Sequence, residues 1–403
     1  RIRTLNLVRR LASRHRLTYL CYRNADPSEA AEAEKFFREL GARVEFVAPA
    51  TAASRKQGAA FYARLALNLL SPHPYSVQAH LDPRMRQAIA SMDADGAVDL
   101  WHCEWTPYAA SFPRNLKRPL AIMAHNVESL IWRRYRDAET NPLKRWYIDH
   151  QRRKFERFER DAFARATRVI TVSDADAELA RREFGAERLS VVDNGVDPDY
   201  FQPGESPRNQ NEIVFLGSLD WRPNLDGVRM LLDSIFPLVR QEHAAAKLLL
   251  VGRKPPEWLT QRAAREPGVE LHADVPDVRP FLQQSAAMVV PLRIGGGSRL
   301  KILEAGACEL PVVSTRIGAE GLELIDGEHY RAADDPAEIA DALLDCIRDP
   351  KSAAELGTAA RAQVERRYHW DVLAEDLDAV WRECATLSKA ATSRQRATQG
   401  ART

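Results

Sequence analysis

The sequence is poor in the residues that mark several protein classes. Its five cysteines (Cys21, Cys103, Cys308, Cys346, Cys384) are scattered and form no CxxC pair. That spacing argues against both a disulfide framework and a thiolate metal site, and suits a reducing cytoplasm. No apolar run approaches the ~20 residues needed to cross a bilayer; the best, such as 247–251, are strand-sized. No apolar signal segment follows the arginine-rich start. Charge of one sign is also lacking: 58 Lys and Arg meet 56 Asp and Glu, net +2, which argues against a wholesale nucleic-acid binder. No metal site is expected: of the Asp-x-Asp pairs, Asp93/Asp95 precede a turn glycine, and Asp174/Asp176 suit a helix start.

What is present is a long alternation. Short β-branched runs (17–22, 43–47, 98–103, 119–124, 168–172, 189–192, then 212–216, 247–251, 269–272, 287–291, 311–314) are separated by helix-length segments. This predicts βαβ units and parallel sheets. The aperiodic stretch 198–211, with Pro, Gly, Ser and Asn, predicts a linker between two α/β domains. The expected organisation is an N-terminal domain over 1–197, a C-terminal domain over 212–366, a helix over 367–387 and a disordered tail over 388–403. The first segment, Ile2 to Arg14, has helical periodicity, whereas a doubly wound domain opens on a strand; the sequence therefore predicts that a first strand is missing.

Ligands of open α/β sheets sit beyond the carboxyl ends of the strands, so loops that follow strands deserve inspection. After the run ending at Leu292 come Gly295, Gly296, Gly297 and Ser298, then a predicted helix from near Arg299. Glycines let backbone N–H groups approach a ligand, and Ser298 can cap the helix. Arg299 and Lys301 put two cations in a first turn that favours anions, which points to a bound phosphate or diphosphate. Glu304 lies a turn or two beyond, placed for ligand hydroxyls. The plain alternative is a glycine-rich turn with solvated basic residues.

Gly295-Gly-Gly-Ser-Arg-Leu-Lys-Ile-Leu-Glu-Ala-Gly-Ala307, with Pro311-Val-Val-Ser-Thr315 and Gly318-Ala-Glu-Gly-Leu322, resembles the donor-site signature of retaining GT-B-fold glycosyltransferases of family 4. Val214 to Asn224, Leu250 to Pro255, Asp277 to Pro280, Thr171 to Ser173, Asp193 to Asp197 and Tyr368 to Trp370 agree in order. The resemblance implies two Rossmann-like domains facing across a cleft, the last helix returning to the first. It implies hexose transfer from a nucleotide diphosphate sugar to a glycan or lipid-linked acceptor, with retention and without a metal or other cofactor. Arg299 and Lys301 would neutralise the diphosphate and Glu304 would hold the ribose. Gly296 and Gly297 would offer backbone amides, and Gly217 and Arg253 would border the donor, although Arg253 reads equally as a surface residue. Two departures stand out: Gly296 occupies the position of a sugar-contacting Glu, and Ser218 that of a phosphate-binding Arg.

In the first half, the strand 119–124 ends in His125 and Asn126; the family has a sugar-contacting histidine at such a strand end, and a helix-capping role is the alternative. Glu104, after the strand 98–103, could orient the acceptor, or serve structure together with His102. Between 131 and 168, twelve Lys and Arg face six Asp and Glu, interleaved with aromatics. That segment reads as an ordinary amphipathic helix, or as a peripheral contact with anionic membrane at the inner face. A nucleotide-sugar epimerase on the same fold, and a catalytically impaired fragment, are the competing readings.

Overall fold

The computed structural model describes residues 2–23, 26–48, 59–294 and 299–400. The chain divides into two compact units, the first comprising residues 1–193 and 374–403, the second residues 194–373.

The first unit opens with helix α1 (Ile2–Leu11), whose Leu7 and Leu11 are buried. Strands β1 (Thr18–Tyr22) and β2 (Arg43–Val47) form a parallel pair of their own. Strands β3 (Trp101–Cys103), β4 (Leu120–Ala124), β5 (Arg168–Thr171) and β6 (Leu189–Val191) form a parallel sheet in that order. All five residues of β4 are buried, which explains its unbroken apolar sequence: a central parallel strand is covered on both faces. The Arg43 N–H donates to the Leu17 carbonyl and the Arg23 N–H to the Val47 carbonyl. With a period of two, odd-numbered residues of β1 therefore bond to β2, and Thr18, Leu20 and Tyr22 turn their backbone groups the other way. On that side lies a cavity of about 890 Å³, lined by residues of both sheets, among them Tyr19, Cys21, Trp101 and His102.

Helix α2 (Glu128–Asp137) follows β4, and α3 (Pro142–Arg165) packs against it. The basic segment resolves mostly as the ordinary amphipathic reading. Phe155, Phe158 and Phe163 are buried, and Trp132 stacks on Phe155. Arg133 pairs with Glu183 at 2.5 Å, Arg153 with Asp149 at 2.9 Å, and the Lys154 ammonium is buried against the Asn68 and Leu69 carbonyls. Leu143 and Trp146, in the first turns of α3, remain exposed beside Lys144 and Arg145.

The second unit holds β7 (Asn209–Leu216), β8 (Lys247–Gly252), β9 (Val269–Ala273), β10 (Ser285–Val290), β11 (Val312–Ser314) and β12 (Arg331–Ala332). They form one parallel sheet in the order β12-β11-β10-β7-β8-β9. The order reverses between β7 and β10, so the crevice beyond their carboxyl ends is the expected ligand position. After β10 come helix α4 (Leu300–Ala307) and, at the end, α5 (Trp370–Gly400).

Three expectations need correction. The chain changes unit at Asp193/Asn194, so 198–211 is not a free linker but part of the second unit. Its Arg208 guanidinium donates to the carbonyls of Leu282, Gln283, Ser285 and Cys308, and β7 already begins at Asn209. The C-terminal helix joins the first unit from Ala374, not Arg367, because Trp370 is fully buried in the second unit. There, a Cβ on Gly195 would come within 2.9 Å of the Trp370 ring. Finally, the backbone of α5 stays helical to Gly400 where a disordered tail was expected: Ala, Lys, Gln and Arg favour helix, and no Gly or Pro interrupts before that point.

Candidate active-site residues in the two units

In the first unit, the carboxyl ends of β3 and β4 bring His125 and Glu104 together. Glu104 Oε1 lies 3.5 Å from His125 Nε2 and accepts a hydrogen bond from the Thr4 hydroxyl at 2.9 Å. Its Oε2 lies 3.0 Å from His102 Nε2. Burial by itself would raise the Glu104 pKa, but the two histidines outweigh it and hold the carboxyl well below its ordinary value. Both oxygens are engaged within the protein, so Glu104 fits the structural alternative better than acceptor contact. Arg3, buried in the first turn of α1, faces Glu104 and donates to the Asp193 carbonyl. Burial brings its pKa down to about 10 against the pull of Glu104 and Asp193. The His102 Nδ1 accepts from the Trp381 indole N–H at 3.0 Å.

His125 does not cap α2. That task falls to Glu159 on α3, whose carboxylate accepts from the backbone N–H groups of Glu128 (2.6 Å) and Ser129 (3.1 Å). Burial raises the Glu159 pKa to about 8. Asn126 follows His125, half-buried.

In the second unit the loop after β7 and helix α4 build a compact cationic nest. The Lys301 ammonium donates to Asn224 Oδ1 at 3.0 Å, and the Asn224 amide donates to the Ser218 carbonyl at 2.8 Å. Lys301 Nζ lies 4.9 Å from the centre of the Phe215 ring. Gly217 is required here, since a Cβ would stand 2.8 Å from the Asn224 amide nitrogen and 2.9 Å from the Lys301 ammonium. Burial, then the neighbouring Arg299 charge, lowers the Lys301 pKa to about 7; Glu304 opposes this. Burial raises Glu304 to about 7, with Lys301 opposing. Two groups one turn apart on α4 are thus pushed from opposite sides toward neutrality, a pattern typical of sites that await a charged ligand.

Arg299 occupies the N-cap position of α4 with φ of 52°, and its own side chain does not cap that helix. Its guanidinium, with a side chain 8 % exposed, pairs with Glu320 at 3.3 Å. The second cation is therefore engaged by the acid of the Gly318-Ala-Glu-Gly-Leu322 motif, to which no role had been given. Arg253 follows β8 and is exposed. Gly296, Gly297 and Ser298 lie outside the described residues. Among the described residues one group could hold a metal, Asp197, Asp199 and His369, but Asp197 already accepts from the backbone N–H groups of Asp199 and Tyr200. Besides Glu320, reading the sequence missed Asn224, Glu159, Arg3 and Trp381 as parts of these arrangements. Asn224 and Glu320 carried a signal, as members of the motifs beginning at Val214 and Gly318.

Comparison with known proteins agrees with this architecture half by half. Residues 2–200 match Glycosyltransferase Family 4, and residues 210–349 match Glycosyl transferases group 1. A phosphatidyl-myo-inositol mannosyltransferase of Mycobacterium leprae is 32% identical over 229 residues, 54% of this chain and 59% of that protein. A D-inositol 3-phosphate glycosyltransferase of Acidothermus cellulolyticus is 30% identical over 264 residues, 59% of this chain and 58% of that protein. The matched region thus spans under two thirds of either relative. Among solved structures, Anabaena HepE in complex with UDP and glucose matches with a TM-score of 0.62 at 14% identity, covering 94% of each chain. Sucrose-phosphate synthase from Thermosynechococcus elongatus matches with a TM-score of 0.65 at 16% identity, covering 91% of this chain and 99% of that one. With a Family 4 domain followed by a group 1 domain, each built on a parallel α/β sheet, the chain belongs to the GT-B glycosyltransferases.

Proposed function

We propose that this chain transfers a hexose from a nucleotide diphosphate sugar to a glycan or lipid-linked acceptor, with retention at the anomeric carbon. The observation that carries the donor half is the Lys301–Asn224–Gly217 nest at the carboxyl end of β7. An ammonium held in so recessed a position, and pushed toward neutrality, gains most from a dianionic partner. The diphosphate lies against Lys301 and the N-terminus of α4, and Arg299 reaches it by exchanging its Glu320 contact. Glu304 accepts from ribose hydroxyls one turn along. As the glycosidic bond breaks, charge builds on the leaving oxygen, and cations already fixed in place stabilise it by preorganisation, with no metal assigned to that task. His125 faces the transferred sugar and accepts from one of its hydroxyls.

The relatives named above act on inositol-containing acceptors, and one acts on a lipid. A lipid-linked acceptor suits exposed Leu143 and Trp146 flanked by Lys144 and Arg145, a short apolar-and-basic edge that can rest on anionic headgroups. Among the described residues no helix is long and apolar enough to cross a membrane.

Calorimetric titration of UDP and of GDP, with Lys301→Ala in parallel, tests the donor site. Binding of one nucleotide that the variant loses supports the reading. A folded wild-type chain that binds neither sinks it.

A further inference from the structure

Trp381 and His102 are 279 positions apart and touch. An indole N–H can only donate, so the ring nitrogen it meets, His102 Nδ1, carries no proton. His102 is therefore the neutral imidazole with its proton on Nε2, and that proton is given to Glu104 Oε2 at 3.0 Å. The other carboxylate oxygen takes the Thr4 hydroxyl at 2.9 Å and faces His125 Nε2 at 3.5 Å. A carboxylate at that distance favours a proton on the His125 nitrogen that faces it, Nε2. The Trp381 donor thus fixes the His102 ring, and through it the seat of the Glu104 carboxylate, which takes its contact with each histidine on a separate oxygen.

We propose that Trp381, on the C-terminal helix, is a positioning residue that, through His102, holds the Glu104 carboxylate where it keeps His125 in its orientation and Nε2–H form. The inference rests on the reading of His125 as the sugar-facing group, and it deepens that reading. Its chemical sense is that a neutral imidazole with one fixed lone pair accepts a sugar hydroxyl without adding a cation beside a developing oxocarbenium centre. The surroundings supply the rest of the frame. Arg3 faces Glu104, and Glu128 lies near His125 with its carboxylate held by the Trp105 indole at 2.9 Å. Trp381 itself is seated by His15, whose ring packs edge-on against it and whose Nε2 meets Asp378 at 2.7 Å.

The test needs no substrate. In the full chain labelled with ¹⁵N-histidine, nitrogen shifts and two-bond couplings report which ring nitrogen of His102 and His125 is protonated. In the wild type both rings are Nε2–H. Trp381→Phe gives His102 a population protonated at Nδ1, and the His125 nitrogens move toward tautomer averaging. Glu104→Gln averages His125 while His102 keeps its Trp381-set form, which orders the relay and serves if the first variant folds poorly. His125 nitrogens that stay unchanged in Trp381→Phe, or a wild-type His102 protonated at Nδ1, overturn the proposal. UDP and GDP binding is measured on the same samples. Its absence in the wild type counts against the donor site alone, while the nitrogen spectra still decide the relay. Once a donor is in hand, Trp381→Phe lowers kcat by about tenfold or more with the donor KM unchanged.

Discussion

The nest around Lys301 should weaken the nucleotide-free protein. An unfolded chain holds this lysine's proton up to its ordinary pKa of 10.5, whereas the native state releases it at about 7. Between those values the unfolded state binds more protons, so native stability rises with pH there, and the destabilisation is fully present below pH 7. At ~1.4 kcal/mol per pH unit it amounts to about 5 kcal/mol. Lys301→Met keeps the length and removes the charge. It forfeits the bond to Asn224, about 1 kcal/mol, and some attraction to Glu304. The expected net gain is about 2–4 kcal/mol near pH 6.5, seen by calorimetry as a Tm rise of about 5–10 °C for the second unit. Near pH 9.5 the gain shrinks to about 1 kcal/mol or less. The same variant should lose the stabilisation that a nucleoside diphosphate gives the wild type. A Met variant that melts lower near pH 6.5, or a gain indifferent to pH, would refute the reasoning.

Other outcomes can be checked more quickly. Glu159→Ala strips two buried N–H groups at the start of α2 of their acceptor and should cost about 2–4 kcal/mol in denaturant unfolding. Glu159→Gln, with one acceptor for the two N–H groups, should cost less than Ala, about 1–2 kcal/mol at low pH, and should abolish the loss of stability that the wild type shows as pH climbs from about 4.5 through 8. Gly217→Ala should leave the protein folded yet abolish diphosphate binding by calorimetry, because its Cβ displaces Asn224 and Lys301. Gly252→Ala, whose Cβ would stand 1.9 Å from the Gly217 carbonyl oxygen, should fail to give the native circular dichroism spectrum at all. In hydrogen exchange, the amides of Leu20 and Tyr22 should exchange well ahead of Cys21; equal protection would mean that the free side of β1 is covered.

How much of this could be read from the residues depended on the range of the interaction. The strands were legible because parallel strands are buried on both faces and so spell unbroken apolar runs, as 120–124 does. Lys301 and Glu304 were legible because their place relative to a strand and a glycine loop is local. Asn224 was harder, since a polar residue after a strand looks like any loop residue until the lysine it holds is known. The Arg299–Glu320 pair and the Trp381–His102 contact join segments that no periodicity connects. The misread linker shows the same limit from the other side: proline and glycine between 198 and 211 signal irregular backbone, and only the four carbonyls around Arg208 reveal that this backbone is anchored.

The first unit is discontinuous in sequence: the stretch from Ala374 onward completes it after the second unit has been spelled out in full. During synthesis the second unit has all its strands available while the first still lacks its closing helix, so the order of completion inverts the order of the chain. Trp381 reaches His102 only after every residue of the second unit has been made, so a contact spanning 279 positions is among the last that the first unit can form.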